Sequence, residues 1–355
     1  MTKLLHYLTI IGYADLCCSF NPLTLKMESW TQAACQINNK TLKKFYFLLL
    51  LNHPIRSEYF NREEKELLAP LIEEAIITCH YYFYQTRKLS LYVSMGRWFF
   101  FETPNLNPAI YYGDDSFALL NRLTAIKQKN TLDLCSGPGI QAIISSYFSE
   151  RVTSVEINPI SAGVASVNKK LNNIKNWDIL TGNLYAPLPK SEKFDYIVAN
   201  PPLLPFPKNE FYPFVGHGGE DGWEIIWEIL QGLPQYLAPE GVAKITGTTL
   251  SSANNPIVIH ELDCWCAINK IDCLFTIISQ YPLNDKSGII ASLILSTGAE
   301  DEDKKDKVSN SFSDLIAEKK ATHLISHILT LSYGKGEVQI INLSNNKIID
   351  NFWFI

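Results

Sequence analysis

The sequence predicts an α/β protein: a Rossmann-like, largely parallel sheet preceded by a mainly helical accessory region. Three observations carry this. From Asn107 onward, short apolar runs alternate with longer stretches of helical periodicity, the mark of strands joined by crossover helices. One of these strands ends in Asp133-Leu134 and runs through the glycine-rich turn Ser136-Gly137-Pro138-Gly139 into a helix. A second acid, Glu156, closes the next strand about 23 residues later, at the spacing of dinucleotide-type folds.

Element by element, the front of the chain reads as helical. Leu42 to Leu51 is a largely apolar run ended by Asn52 and Pro54. Asn61 is placed to cap a second helix with Glu63 and Glu64 in its first turn. Leu67, Leu68, Leu71, Ile72, Ala75 and Ile76 follow at helical spacing, with Pro70 expected to kink or split them. Short strands are expected over Leu89–Val93 and Trp98–Phe101. Residues 1–105 are thus a helical or winged-helix-like accessory domain, and 106–355 form the sheet domain. Strands are expected at 131–134, 151–156, 177–181, 194–199 and 242–246, with helices at 140–147, 160–171 and 223–231. Beyond them come 271–279, 289–296 and a hairpin-like pair, 324–332 and 338–343, around Gly334-Lys335-Gly336. Ala299 to Ser311 is dense in charge without apolar periodicity and is expected to be a solvated, inserted loop.

Composition narrows the function classes. A net charge of -5, with eleven Lys and Arg against nine Asp and Glu in the first 105 residues, supplies no basic stripe for nucleic acid. Nucleic acid is therefore a disfavoured partner, and a small molecule or a protein the favoured one. The eight cysteines show no paired or zinc-finger spacing, so free thiols in a reducing cytoplasm are expected, with no metal. The apolar run Phe45 to Leu51 is far short of the roughly 18 residues of a membrane span.

Two segments carry chemistry. The glycines of the 136–139 turn let backbone approach a ligand at a helix N-terminus. At the end of a later strand, Asn200-Pro201-Pro202 forms a rigid stop, because proline cannot donate to a ladder. That rigidity presents the Asn200 side-chain oxygen and the Pro201 carbonyl as fixed acceptors, able to hold the N–H groups of an amine or amide.

Together these residues resemble the small-domain, Asn-Pro-Pro branch of class I S-adenosylmethionine-dependent methyltransferases, which includes release-factor glutamine and ribosomal RNA guanine-N2 methyltransferases. The resemblance runs from about Tyr111 to Leu250 and includes Gly182-Asn183-Leu184-Tyr185 and Gly216-His217-Gly218-Gly219-Glu220-Asp221-Gly222-Trp223. It implies S-adenosylmethionine as cofactor. Asp133, Gly137 and Gly139 would surround its methionine part, with Cys135 in the same turn. Glu156 would hold the ribose and Asn183 the adenine amine. Asn200, with Pro201 and Pro202, would orient an acceptor nitrogen. Two positions depart from the family pattern: Asn183 stands where Asp is usual, and Leu203 where an aromatic completes the motif. Leucine offers dispersion contact but no stacking face.

Methylation of a nitrogen on a small molecule or protein side chain is the leading expectation, with the front domain shaping the acceptor pocket. Two alternatives stay open: use of the cofactor's aminopropyl arm, releasing methylthioadenosine, and an inactive cofactor-binding regulator. Tyr112, Leu203, His217, Asp221 and Trp223 are the candidate acceptor-side residues. Core packing is the competing role for Tyr111, Tyr112, Tyr212 and Trp223, and helix capping that for Asp221.

Overall fold

The computed structural model describes residues 1–21, 25–105, 107–124, 126–208, 215–252, 255–283, 288–299 and 301–344. The front begins with α1 (Thr2–Ile10), α2 (Tyr13–Cys18), α3 (Met27–Gln36), α4 (Lys40–Leu49), β1 (Ile55–Arg56) and α5 (Arg62–Glu73). β2 (Ile77–His80), β3 (Phe83–Thr86), β4 (Leu89–Ser94) and β5 (Arg97–Glu102) complete it. Asn61 caps α5 in a reciprocal box with Glu64, as expected, but the helix runs through Pro70 to Glu73 without a break. The region carries more strand than the sequence suggested: a three-stranded sheet in the order β1-β3-β2 and the hairpin β4-β5.

The remainder comprises α6 (Asp114–Leu120), β6 (Gln128–Leu134), α7 (Ile140–Ser145), β7 (Ser149–Glu156), α8 (Pro159–Leu171), β8 (Trp177–Thr181) and β9 (Phe194–Ala199). It continues with α9 (Glu224–Tyr236), β10 (Leu237–Ser252), β11 (Asn255–Pro256), α10 (Ile259–Asn269) and β12 (Ile271–Pro282). α11 (Ile289–Ser296), α12 (Glu302–Glu318), β13 (His323–Tyr333) and β14 (Val338–Asn342) end it. The sheet order is β14-β12-β13-β10-β9-β6-β7-β8, and β10, β9, β6, β7 and β8 are mutually parallel. β13 runs antiparallel between β10 and β12. This is a Rossmann-like sheet with an antiparallel extension. The chain leaves β6 towards β7 and β8, then returns on the other side to β9. Ligands bind at such a reversal, beyond the carboxyl ends of the strands.

Two expectations are corrected. The charged tract at 299–311 is mostly helix: Asp301 accepts from Lys304 N at 2.8 Å, and α12 buries Val308, Phe312 and Leu315 on one face. That spacing extends past Ser311, so the tract alone did not display its period. Residues 338–343 do not form a hairpin with 324–332; β14 instead joins β12 in parallel. The segment 289–296, whose element type the sequence left open, is helical, with Ile289, Ile290 and Leu293 buried beside α12.

The front and the α7–α8 side of the sheet share one hydrophobic core, running from Leu4 and Trp30 through Phe100 to Ile143, Ala165 and Trp177. Two amides on α8 and its C-cap join them. Asn168 Oδ1 accepts from Phe100 N at 2.7 Å, while its Nδ2 donates to Phe100 O and Pro138 O, both at 2.9 Å. Asn172 pairs in the same way with the backbone of Trp98. Side-chain amides thus take the place of a partner strand along β5.

Candidate active site

A cavity of about 400 Å³ opens beyond the ends of β6, β7 and β9. Its wall brings together Cys135, Gly137, Glu156, Asn183, Asn200, Pro202 and His217 from the sequence-predicted set. Pro201, the next residue after Asn200, is buried and is not among the residues lining the cavity. Ala109 and Tyr111 line it too, but no described residue of the first 105 does, so the front backs the sheet's helices and does not form the pocket wall.

The glycine turn divides its work. Gly137 adopts φ +54°, and a side chain there would meet nothing nearer than the Tyr111 carbonyl at 3.9 Å, so its backbone faces open space. Gly139, at φ +84°, is pressed against the Trp177 ring, where a Cβ would come within 2.3 Å. It serves packing and is not among the lining residues. Asp133 lies beneath the turn, fully buried; its Oδ2 accepts from Ala142 N at 3.1 Å and ties β6 to the start of α7. Burial pushes its carboxyl well above the ordinary range. Glu156 accepts from Gly137 N and Asn158 N, both at 2.7 Å, which leaves lone pairs of its carboxylate for further donors. Burial raises Glu156 and the Cys135 thiol as well, so Cys135 is a neutral wall group.

At the end of β9, Asn200 Nδ2 donates to Asp115 Oδ2 at 3.1 Å and to Ser116 Oγ at 3.2 Å. Both amide hydrogens are thereby committed, and the carboxylate fixes which end of the amide faces it. The other end, Oδ1, is buried without a partner. Asp115 also accepts from Ser116 N at 2.6 Å and from the Tyr111 hydroxyl. Burial raises Asp115, and raises its neighbour Asp114 to about 7, with the two charges opposing each other. The clamp formed by Asp115 and Ser116 was not assigned from the sequence.

The other acceptor-side candidates separate. Tyr112 stands in an aromatic cluster with Phe99 and Phe101, at centroid distances of 4.8 and 5.4 Å. Trp223 is fully buried, and its indole N–H donates to His327 Nε2 at 2.9 Å. Asp221 Oδ1 accepts from Trp223 N at 2.8 Å, capping the approach to α9. Leu203 packs on Ala118, away from the cavity wall. Tyr212 lies outside the described residues. Among the described residues no cluster of metal ligands occurs, and no helix is long and apolar enough to cross a membrane.

The cavity suits a ligand rich in polar groups. Ser136 Oγ, Gln141 Nε2, Ser161 Oγ and Asn200 Oδ1 are all buried without partners, and all belong to its lining residues. Unmet buried polar atoms are costly unless something supplies their partners. A ribose and an amino-acid group provide such partners, and the open backbone at Gly137 admits close approach.

Comparison with known proteins agrees. The methyltransferase small domain model matches residues 114–248. The chain is 33% identical over 158 residues to the "putative protein N5-glutamine methyltransferase" of Methanocaldococcus jannaschii, covering 43% of this chain and 79% of that one. It is 32% identical over 145 residues to the ribosomal protein uL3 glutamine methyltransferase of Bradyrhizobium diazoefficiens, 37% of this chain but only 44% of that protein. Among solved structures, TYW2 of M. jannaschii in complex with AdoMet aligns over 72% of this chain and 92% of its own, with 10% identity and a TM-score of 0.41. The fold and site define an S-adenosylmethionine-dependent methyltransferase. The chain belongs to the methyltransferase small-domain family.

Proposed function

We propose that the protein methylates a side-chain nitrogen of a protein acceptor, a glutamine amide being the favoured group. The observation that carries this reading is the unpartnered Asn200 Oδ1, held in the cavity wall by an amide whose hydrogens are both committed. Such an oxygen accepts an N–H of the acceptor, and this reading assigns the carbonyl of the adjoining Pro201 as the second acceptor. Two acceptors hold an NH₂ group so that its nitrogen, rather than its oxygen, faces the donor. When bound, S-adenosylmethionine supplies a methyl group on a positively charged sulfur, with a neutral thioether as leaving group. Glu156, Gly137 and Asn183 are the residues suited to hold it, and Ser136, Gln141 and Ser161 have buried polar atoms to offer it. Among the described lining residues there is no Lys or Arg, which suits a neutral amide better than an anionic acceptor. The names of the relatives point the same way, since they are glutamine methyltransferases of protein substrates.

The test is Asn200→Ala, assayed with glutamine-bearing peptides while adenosylhomocysteine and methylthioadenosine are followed separately by mass spectrometry. Cofactor affinity should be nearly unchanged while turnover to adenosylhomocysteine collapses. Unaltered turnover would remove Asn200 from the chemistry. Release of methylthioadenosine without an acceptor would replace methyl transfer by chemistry on the cofactor's own chain.

A further inference from the structure

The Asn-Pro-Pro loop lacks the aromatic side chain that its pattern calls for, and an imidazole, that of His217, lines the same cavity. Leu203 is 6% exposed and packs on Ala118, and its carbonyl accepts from the Thr248 hydroxyl. Its side chain offers the cavity no flat surface. Among the described lining residues only Tyr111 and His217 carry aromatic rings, and the Tyr111 hydroxyl is bound to Asp115.

His217 is held against the same loop by backbone. Leu204 N donates to Gly216 O at 2.8 Å, and Gly218 N donates to Leu204 O at 2.9 Å, forming a parallel bridge between residues 204 and 217. A Cβ on Gly218 would stand 2.9 Å from the Leu203 backbone, so glycine permits this close approach. The imidazole lies nearly parallel to the Phe206 ring, at 9° and 6.1 Å between centroids. Phe206 is itself buried and meets Phe312 of α12 at 6.0 Å. A plane set in this way by backbone, a buried ring and a helix is prepared before any acceptor arrives.

We propose that His217, backed by Phe206, is the planar face on which the acceptor amide rests, replacing the ring absent at position 203. The inference rests on the amide-acceptor reading above and adds a specificity-determining residue to it. The role belongs to the flat ring and not to proton transfer: methyl transfer to an amide held by Asn200 needs its nitrogen oriented, and a stacked plane fixes the second rotational axis that two hydrogen bonds leave free. It also assigns work to α12, since its Phe312 meets Phe206 behind the platform.

The experiment compares His217→Phe, His217→Leu and His217→Ala in the full chain. Binding of a glutamine-bearing peptide is measured by calorimetry with S-adenosylhomocysteine present, together with kcat/KM for the same peptide and cofactor affinity alone. Leu and Ala should weaken peptide binding and kcat/KM by roughly three- to tenfold, the range of a ring-stacking contact, while Phe stays near wild type. Cofactor affinity should be unchanged in all three, and a loss of it would show a collapsed loop, against which the Phe variant is the control. Wild-type behaviour of His217→Leu overturns the proposal, and so does a Phe variant as damaged as Leu, because the imidazole nitrogens would then be the active feature. Asn200→Ala, run alongside, separates the two levels. If it is inactive while the His217 series is indifferent, the platform alone falls; if it retains full turnover, the amide reading falls first.

Discussion

Alanine at position 139 and alanine at position 137 should produce opposite defects, although both glycines sit in one turn. At Gly139 the new methyl would lie 2.3 and 2.5 Å from two carbons of the Trp177 ring and 3.3 Å from Ala165 Cβ. Trp177 cannot move aside freely, because it is fully buried and its indole N–H donates to Ser154 Oγ at 2.8 Å. Overpacking of this kind costs about 1–3 kcal/mol, and the left-handed backbone adds about 1–2 kcal/mol. A loss of about 2–5 kcal/mol is therefore expected for Gly139→Ala. At Gly137 the nearest atom is 3.9 Å away, so only the backbone cost of about 1–2 kcal/mol applies. There the methyl enters the cavity, and the damage falls on cofactor binding, by about an order of magnitude or more. Urea unfolding and calorimetric titration of S-adenosylmethionine distinguish the two. An alanine at 139 that unfolds no more easily than one at 137, or one at 137 that binds cofactor normally, would refute the division of labour within the turn.

Two further predictions concern buried titratable groups. An amide in place of the Asp115 carboxylate offers one oxygen to donors that now share two, so Asp115→Asn should cost about ten- to a hundredfold in kcat with cofactor affinity retained. Burial raises the folded-state carboxyl of Asp115, a contribution that is present at low pH and lost as pH rises above the ordinary value of 3.8; in thermal melts the variant should therefore gain stability relative to wild type as pH is raised from there. His327 has the opposite sign. Burial holds it down to about 3, so its contribution is present above its unfolded value of 6.5 and is lost as pH falls towards 3. Relative to His327→Asn, wild type should lose about 1.4 kcal/mol per pH unit over that window, and parallel curves for the two proteins would refute the assignment.

The parallel half of the sheet was legible because each strand is a short apolar run stopped by Gly, Asn or Pro, and β7, β8 and β9 fall close to where those stops place them. The turn and its two acids were legible for the same reason, being local in the chain. What escaped was set by distant partners. The Asp115–Asn200 bond spans 85 positions and the Trp223–His327 bond 104, and neither has a local signature. Trp223 thus stood as a site candidate with core packing as its default role, and its indole partner settles it as core. Gly334-Lys335-Gly336 marks a turn correctly, but turn chemistry does not select the strand that the chain joins next; β14 passes over β13 to pair with β12.

The bonds that Asn168 makes bear on how this enzyme can be taken apart. Its Nδ2 group reaches both the edge of β5 and the carbonyl of Pro138 within the glycine turn. A fragment trimmed to begin after residue 105 would leave that amide, and its neighbour Asn172, facing solvent where Phe100 and Trp98 had been. The apolar side of α8 would lose its cover at the same time. A minimal catalytic piece, or a chimera that exchanges front segments between relatives, therefore has to carry β5 along with the sheet, or else find a substitute edge for the helix to hold.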